Sequence, residues 1–167
     1  IRTGRPVPFP LDMVLAVGVP FVRLGMAARL RAKVERVPAR VISFGNITAG
    51  GTGKTPAVIE CARSELAAGH TVGVLTRGYG ARPLARGEVL TADHGMPVPW
   101  LFENLGDEAA LIATTVPGVR VFRSPDRVSA ARMAIDLFQC DTLILDDGYQ
   151  YVRLHRDRNV ALLDAAY

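Results

Sequence analysis

The sequence is poor in the residues that build disulfide frameworks and zinc sites. Its only cysteines are Cys61 and Cys140, which excludes a disulfide framework and a cysteine-rich zinc site. The three histidines show no H-E-x-x-H spacing, so a zinc ion held by the protein is not indicated. These scarcities are typical of a protein of the reducing cytoplasm.

The chain also lacks the composition of a disordered protein. Of its 167 residues, 49% are hydrophobic and only 22% are charged, whereas disordered chains combine low hydrophobicity with high charge. The length suits one domain, or one domain with an appendage, and is sufficient to bury a substantial core.

Net positive charge is confined to the N-terminal quarter of the chain. Residues 1–40 contain eight basic and two acidic residues, a net charge of +6. Because the whole chain has a net charge of +4, the remaining residues carry a net charge of −2. A nucleic-acid surface on the body of the protein would need the opposite distribution, so we expect no nucleic-acid partner.

The N-terminal segment, residues 1–38, is predicted to be basic and to contain an amphipathic helix. Its uncharged stretch Met13–Val22 is about half as long as a membrane-spanning helix. Apolar residues recur here at helical spacing, with arginines close behind them. They are Leu15, Val19, Val22, Met26 and Leu30. Such a helix either rests on anionic lipid or packs on its own domain with solvated arginines, and the residues alone leave both interpretations open.

Residues 39–167 alternate between strand-like and helix-like patterns. Strands are predicted near 41–44, 71–76, 119–122, 142–145 and 160–163, and helices near 54–68, 107–114 and 126–138. This alternation predicts an α/β fold with a mostly parallel sheet flanked by helices. Residues 78–105 interrupt it with four glycines and three prolines, which predicts a long loop or a small hairpin excursion.

The most informative segment is a glycine-rich loop between a predicted strand and a predicted helix. It reads Gly-Asn-Ile-Thr-Ala-Gly-Gly-Thr-Gly-Lys-Thr over residues 45–55. Backbone N–H groups of such a loop surround a phosphate, and the helix N-terminus adds partial positive charge. Lys54 is expected to reach the β- and γ-phosphates, and the Thr55 hydroxyl to hold Mg²⁺. The predicted nucleotide-binding residues are Thr48, Ala49, Gly50, Gly51, Thr52, Gly53, Lys54 and Thr55.

Two details of this loop bear on its function. Thr48 stands where the strict G-x-x-x-x-G-K-T pattern has its first glycine. The chain has 18 arginines and only two lysines, yet one of the lysines is Lys54. A compact ammonium suits this position better than the bulkier guanidinium fork. The loop therefore predicts a P-loop NTPase-like fold that binds a nucleotide.

Two carboxylates end another predicted strand. Asp146 and Asp147 follow the apolar residues 143–145, and ligands of α/β proteins bind at the carboxyl edge of parallel strands. One of these acids is expected to hold Mg²⁺ beside the phosphate loop, and the residues do not decide which. The alternative is that Asp147-Gly148 is only a turn.

Other polar residues have two interpretations each. Asp107 is either the N-cap of a helix or a base that takes the proton from an attacking hydroxyl. Arg77 and Tyr79, in Arg-Gly-Tyr-Gly (77–80), either contact the substrate or have a structural role. Arg127 either binds a phosphate or forms local pairs, and the local interpretation is favoured.

Five motifs together resemble the tetraacyldisaccharide 4'-kinases, the lipid A 4'-kinases of Gram-negative bacteria. The motifs are Phe-Gly-Asn-Ile-Thr-Ala-Gly-Gly-Thr-Gly-Lys-Thr-Pro (44–56), Thr-Arg-Gly-Tyr-Gly (76–80), Gly-Asp-Glu-Ala-Ala-Leu-Ile-Ala (106–113), Asp-Arg-Val-Ser-Ala-Ala (126–131) and Leu-Asp-Asp-Gly-Tyr-Gln (145–150). Their order and spacing agree with the family from the basic N-terminal helix to Asp164. The Gly-Asn lead-in and the missing first glycine are usual in this family.

The resemblance implies transfer of the γ-phosphate of ATP to the 4'-hydroxyl of a tetraacyldisaccharide 1-phosphate, with Mg²⁺, in lipid A biosynthesis. It also implies an N-terminal helix at the cytoplasmic face of the bacterial inner membrane. Asp107 matches the family's catalytic aspartate. Lys54 and Thr55 match its phosphate-loop pair, and Asp146-Asp147 matches its acidic pair near Mg²⁺.

Two departures from the family pattern stand out. The family has His after Gln in its Asp-Asp-Gly-aromatic-Gln-His motif, whereas this chain has Tyr151, which does not carry a proton near neutral pH as His does. The family also continues past the position of Tyr167 into a C-terminal part that closes the active-site cleft. Residues 39–167 are therefore expected to be the P-loop kinase core without that part.

Two other functions remain compatible with the residues. A membrane-targeted nucleotide-switch ATPase of the partition or division type also joins such a loop to an amphipathic helix. Those proteins carry a second lysine at the start of the loop, where this chain has Ala49. The other alternative is an ATP-binding module without catalysis.

Overall fold

The computed structural model describes residues 33–46, 53–85 and 87–163. The described residues from Val34 onward belong to one compact unit. The predicted amphipathic helix lies outside the described residues, and so do residues 47–52 of the predicted phosphate loop. The domain boundary expected at residue 38 stays a prediction.

One sheet organises the described part of the chain. Its strands are β1 (Arg40–Asn46), β2 (Val72–Thr76), β3 (Leu90–Asp93), β4 (Arg120–Arg123), β5 (Thr142–Leu145) and β6 (Arg158–Leu162). Their order across the sheet is β3-β4-β2-β5-β1-β6. β3 pairs antiparallel with β4, and the other pairings are parallel. The predicted α/β class with a mostly parallel sheet flanked by helices is confirmed.

Four helices alternate with the strands along the chain: one lies between β1 and β2, two lie between β3 and β4, and one lies between β4 and β5. They are α1 (Lys54–Ala67), α2 (Val98–Leu105), α3 (Asp107–Thr115) and α4 (Arg127–Phe138), with a 3-10 turn at Gly148–Gln150. α4 is capped by Asp126, whose side chain accepts a hydrogen bond of 3.2 Å from the backbone N–H of Val128. Such a cap satisfies one of the free N–H groups in the first turn of the helix.

The core lies on both faces of the sheet because the central strands are apolar along their whole length. In β5, Ile144 packs with α1 and α3 on one face. Its neighbours Leu143 and Leu145 pack with α4 on the other face. All three side chains are fully buried. Successive side chains of a strand point to opposite faces of the sheet, so this one aliphatic run contributes to both layers of the core.

The predicted strands and helices are confirmed to within about two residues, but the loop prediction for residues 78–105 was wrong at its C-terminal end. That end contains α2, preceded by the edge strand β3. Pro97 and Pro99, on which the loop prediction partly depends, lie at the N-cap and in the first turn of α2. A proline costs a helix little there because the first N–H groups have no partner within the helix.

No helix in the described ranges is both long and apolar enough to cross a membrane.

The buried strand β5 provides a test of this packing. Leu143→Ala is expected to lower the free energy of unfolding by about 2–5 kcal/mol, because it leaves a cavity between β5 and α4. Leu137→Ala removes the same atoms from a side chain that is 68% exposed, and is expected to change stability by less than about 0.5 kcal/mol. Urea unfolding of both variants measures the difference. Equal losses would contradict the assignment of β5 to the core.

Candidate functional site

Three chain segments end together at the carboxyl edge of the sheet. β5 lies between β1 and β2, and Leu145 pairs in register with Ser43 of β1 and with Leu75 of β2. The residues that follow these three positions therefore emerge side by side. They include Thr76 after β2 and Asp146 after β5. The predicted acidic pair is thus adjacent to the strand that leads into the predicted phosphate loop.

Lys54 and Asp147 meet at this edge. The Nζ of Lys54, the first residue of α1, donates a hydrogen bond of 3.1 Å to Oδ1 of Asp147. Asp147 has a left-handed backbone conformation with φ of 54°. The next residue, Gly148, lies so close to the Ser43 side chain that a Cβ atom would collide with it. Lys54 and Asp147 are therefore neighbours, as predicted. The tight turn after β5 holds Asp147 in this position.

Asp146 is the most perturbed carboxylate of the site. It is 3% exposed, and burial, together with the negative charges of Glu108 and Asp147, raises its pKa to about 6. Lys54 and Arg127 act in the opposite direction. Its Oδ2 accepts a hydrogen bond of 3.5 Å from the Thr76 hydroxyl.

The other carboxylate oxygen of Asp146 has no hydrogen-bond partner among the described residues. A buried oxygen without a partner costs free energy. Such an atom at the end of a strand, beside a lysine and a second acid, is suited to contact a cation or a proton donor of a ligand.

Asp107 faces a pocket instead of capping a helix. It is the first residue of α3, and the N-cap is Gly106, with no side-chain cap. The N-cap interpretation of Asp107 is therefore wrong. Its exposed carboxylate lines a pocket of about 300 Å³ that Thr76 and Tyr79 also line. A carboxylate in this position is free to take a proton from a bound hydroxyl.

A close backbone contact fixes the two walls of this pocket. Gly106 has φ of 82°, and a Cβ atom there would collide with the backbone carbonyl of Tyr79. Only glycine combines this conformation with so close an approach. The turn after β2 and the start of α3 are thus held in contact, with Asp107 beside Tyr79.

Arg77 and Tyr79 form a pair on the surface of the turn after β2. The Arg77 guanidinium lies 5.4 Å from the centroid of the Tyr79 ring, and its Nη1 donates a hydrogen bond of 3.5 Å to the tyrosine hydroxyl. Both residues line a second pocket of about 410 Å³. Tyr79 belongs to both pockets, whereas Arg77 lines only the second.

Sequence reasoning missed two residues of this region and underrated a third. Glu108 is one of the charges that perturb Asp146. Arg123 is buried and donates to the backbone carbonyls of Arg77, Arg82 and Asn104, so it fastens the turn after β2 to the end of α2. Arg127 is 5% exposed and interacts with Arg77 and Asp146. The favoured interpretation of Arg127, local pairing alone, omits this electrostatic interaction with Asp146.

The predicted phosphate loop is described only at its C-terminal end. Gly53 has a left-handed conformation with φ of 76°, and Lys54 and Thr55 begin α1. Thr48, Ala49, Gly50, Gly51 and Thr52 lie outside the described residues. Their roles stay predictions.

The acidic pair fits Mg²⁺ better than a metal held wholly by protein. The described residues contain no group of three or more His, Cys, Asp or Glu side chains that could hold a metal. Mg²⁺ prefers oxygen ligands and commonly takes only one or two carboxylates together with substrate phosphates and waters. Asp146, Asp147 and the hydroxyl of Thr55 supply such oxygens at one edge.

Comparison with known proteins identifies the family. The family model described as tetraacyldisaccharide-1-P 4'-kinase matches residues 8–167. The chain belongs to this kinase family. A tetraacyldisaccharide 4'-kinase of Pelobacter propionicus is 41% identical over 175 residues, which cover 99% of this chain and 48% of that protein. One of Syntrophus aciditrophicus is 43% identical over 162 residues, with 93% of this chain and 43% of that protein covered.

A solved structure of the 4'-kinase family agrees with the fold. The crystal structure of LpxK from Aquifex aeolicus, described as in complex with ATP, superposes with a TM-score of 0.72 and 33% identity. The match covers 91% of this chain and 48% of that chain. The prediction of a P-loop NTPase-like fold is confirmed. The chain spans about half the length of the curated 4'-kinases that it matches.

The raised pKa of Asp146 predicts a stability change with pH. Because the folded state keeps this proton up to about pH 6 while the unfolded chain releases it near 4, stability falls as pH rises through this interval. Asp146→Asn removes the buried charge. Measured without Mg²⁺, its advantage over the wild type in unfolding free energy is expected to grow between pH 4 and 7 by on the order of 3 kcal/mol.

Urea unfolding at several pH values measures this difference. Asp136→Asn on the exposed surface of α4 is the control for loss of a carboxylate in solvent. An advantage of Asp146→Asn that stays constant with pH would contradict the burial of a charged carboxylate at the end of β5.

Proposed function

We propose that the protein containing this chain transfers the γ-phosphate of ATP to the 4'-hydroxyl of a tetraacyldisaccharide 1-phosphate. The observation that carries the proposal is the contact between Lys54 and Asp147. It lies at the edge where Thr76 bonds to Asp146, next to the pocket that Asp107 and Tyr79 line. The membership of the 4'-kinase family supplies the reaction. The site supplies the charges that phosphoryl transfer needs.

Residues 48–55 bind the phosphates in this proposal. Backbone N–H groups of the loop and the N-terminus of α1 surround them. The Lys54 ammonium leaves Asp147 to offset charge that develops on the β- and γ-oxygens. A flexible ammonium with three donors can exchange a carboxylate for a phosphate without any change of the backbone.

The oxygens of Thr55, Asp146 and Asp147 would hold Mg²⁺. When bound, this ion neutralises phosphate charge and orients the γ-phosphate for in-line attack. Two hard ligands from consecutive residues are then available: the buried Asp146 oxygen without a partner among the described residues and the partly buried carboxylate of Asp147. The Thr76 hydroxyl fixes the remaining oxygen of Asp146.

Asp107 orients the sugar hydroxyl and takes its proton. The first turn of α3 and the pocket beside Tyr79 place its carboxylate in solvent, accessible to an acceptor. Arg77 and Tyr79, on the neighbouring turn, provide a cation and a ring face for the charged disaccharide. Water is excluded only when the substrate fills this open pocket.

The other two candidate functions receive less support. The family match favours the kinase over a partition or division ATPase, in agreement with Ala49 at the position of the second lysine. An ATP-binding module without catalysis would have no use for Asp107 in an accessible pocket beside the phosphate site.

The membrane is the proposed location of the substrate and of the N-terminal segment. The net charge of +6 in residues 1–40 and the apolar stripe from Leu15 to Leu30 suit an interfacial helix on anionic lipid. We place the protein at the cytoplasmic face of the bacterial inner membrane, where such a helix keeps the active site near the lipid head groups.

Transfer of labelled γ-phosphate to the disaccharide lipid in mixed micelles tests the proposed reaction. In the complete gene product, Lys54→Ala and Asp107→Asn are each expected to lower kcat by about 10²-fold or more, because they remove charge stabilisation and the proton acceptor. Lys33→Ala is a matched control, since Lys33 is the other lysine of these 167 residues. Full activity of Asp107→Asn would exclude Asp107 as the base. If the wild type transfers no label to the lipid, the proposed kinase reaction is contradicted.

Binding to lipid vesicles tests the location. The wild type is expected to sediment with vesicles rich in anionic lipid and to be released as ionic strength rises, because the attraction is electrostatic and screened by salt. Replacing Arg29 and Arg31 together by Glu should abolish binding. Arg63→Glu, on α1, should leave it intact. Binding that neither salt nor the double substitution weakens would contradict an electrostatic interfacial helix.

A further inference from the structure

We propose that Tyr151 is a positioning residue of the kinase site, which fixes the orientation of the buried Arg127 guanidinium at the carboxyl edge of the sheet. The inference rests on the proposed function, since it assigns a role at the same site.

The Tyr151 side chain contacts three consecutive residues at the start of α4, two through its hydroxyl and one through its ring. The hydroxyl donates a hydrogen bond to Oδ1 of Asp126 and accepts one of 3.4 Å from the backbone N–H of Val128. The Arg127 guanidinium lies 5.4 Å from the centroid of the Tyr151 ring. The hydroxyl therefore anchors the ring to the N-cap, and the ring provides a surface for the guanidinium.

The Asp126 carboxylate is engaged on several sides. Besides the Tyr151 hydroxyl, it accepts hydrogen bonds from Val128 N–H at 3.2 Å and from the Ser129 hydroxyl at 3.1 Å. The Arg153 guanidinium lies 3.7 Å from it. These contacts hold the Asp126 carboxylate at the N-cap. None of them is with Arg127, the next residue in the sequence.

Arg127 lies at the same carboxyl edge as the site, because it follows β4, whose Arg123 pairs in register with Thr76 of β2. Its guanidinium is buried, its Nη1 donates to the Pro125 carbonyl at 3.3 Å, and it interacts with Asp146 and Arg77. A guanidinium has five donors in a fixed plane, so its orientation decides which groups it can reach. The Tyr151 ring sets that plane.

A histidine at position 151 would have a smaller ring and would carry a positive charge at mildly acid pH. The phenol, whose pKa is raised to about 12 by burial and by its bond to Asp126, stays neutral beside Arg127. The tyrosine thus provides the surface without adding a charge that repels the guanidinium.

Three variants of the complete gene product separate positioning from general stability. Tyr151→Leu removes ring and hydroxyl, and is expected to lower kcat/KM for phosphoryl transfer about tenfold or more. Tyr151→Phe retains the ring and is expected to recover activity to within about threefold of the wild type. Phe138→Leu is the matched control, because Phe138 also stacks on an arginine, Arg120, but at the opposite end of α4. It should lower thermal stability without changing kcat/KM.

A double-mutant cycle tests whether Tyr151 acts through Arg127. If it does, Tyr151→Leu should cause less than about a twofold further loss in an Arg127→Met background. An equal loss in both backgrounds, or the same kinetic effect from Phe138→Leu, would overturn the proposal.

A measurement that does not depend on activity keeps this inference separate from the proposed function. The Nε–H resonance of Arg127, assigned through its loss in Arg127→Met, should be protected from solvent exchange in the wild type and in Tyr151→Phe. It should lose that protection in Tyr151→Leu. Protection that persists in Tyr151→Leu would overturn the positioning role, whereas the correct exchange pattern without phosphoryl transfer would contradict only the proposed function.

Discussion

The site depends on the position of β5 between β1 and β2. Parallel pairing in register brings the carboxyl ends of these three strands to one edge, so that residues far apart in the sequence become neighbours. The acids after β5 then face the helix that follows β1, and the turn after β2 reaches the start of α3. A shift of β5 to the edge of the sheet would separate Lys54 from Asp147 and would leave the site without its cation.

Charge balance at this edge reflects function more than stability. Asp146 is buried beside Asp147 and Glu108, and Lys54 and Arg127 offset this negative charge only in part, since the pKa of Asp146 remains raised. Burial of such a group costs stability when no ligand is present. A cation and a polyphosphate would satisfy the same charges, so the unfavourable arrangement is understandable as preparation for binding.

Most of the fold and the main charged residues could be predicted from the sequence because their signals are local. Short segments rich in aliphatic residues indicate the strands, and a lysine after a glycine-rich loop indicates a phosphate site. Glu108, Arg123 and Tyr151 could not be assigned roles in this way, because each interacts with groups distant in the sequence. Glu108 affects the charge of Asp146, Arg123 donates to the carbonyls after β2, and the Tyr151 ring lies near the Arg127 guanidinium. The helix α2 was missed because its prolines are breakers in the interior of a helix but not at its start.

Calorimetric titration of the complete gene product with ATP, with and without Mg²⁺, tests the central claim most directly. The account predicts that Mg²⁺ tightens ATP binding by about tenfold or more in the wild type. It further predicts that Asp146→Asn or Asp147→Asn abolishes this gain, while Asp136→Asn retains it. If the gain from Mg²⁺ is the same in the wild type and in both acidic-pair variants, the edge formed by β1, β2 and β5 is not the Mg²⁺–nucleotide site.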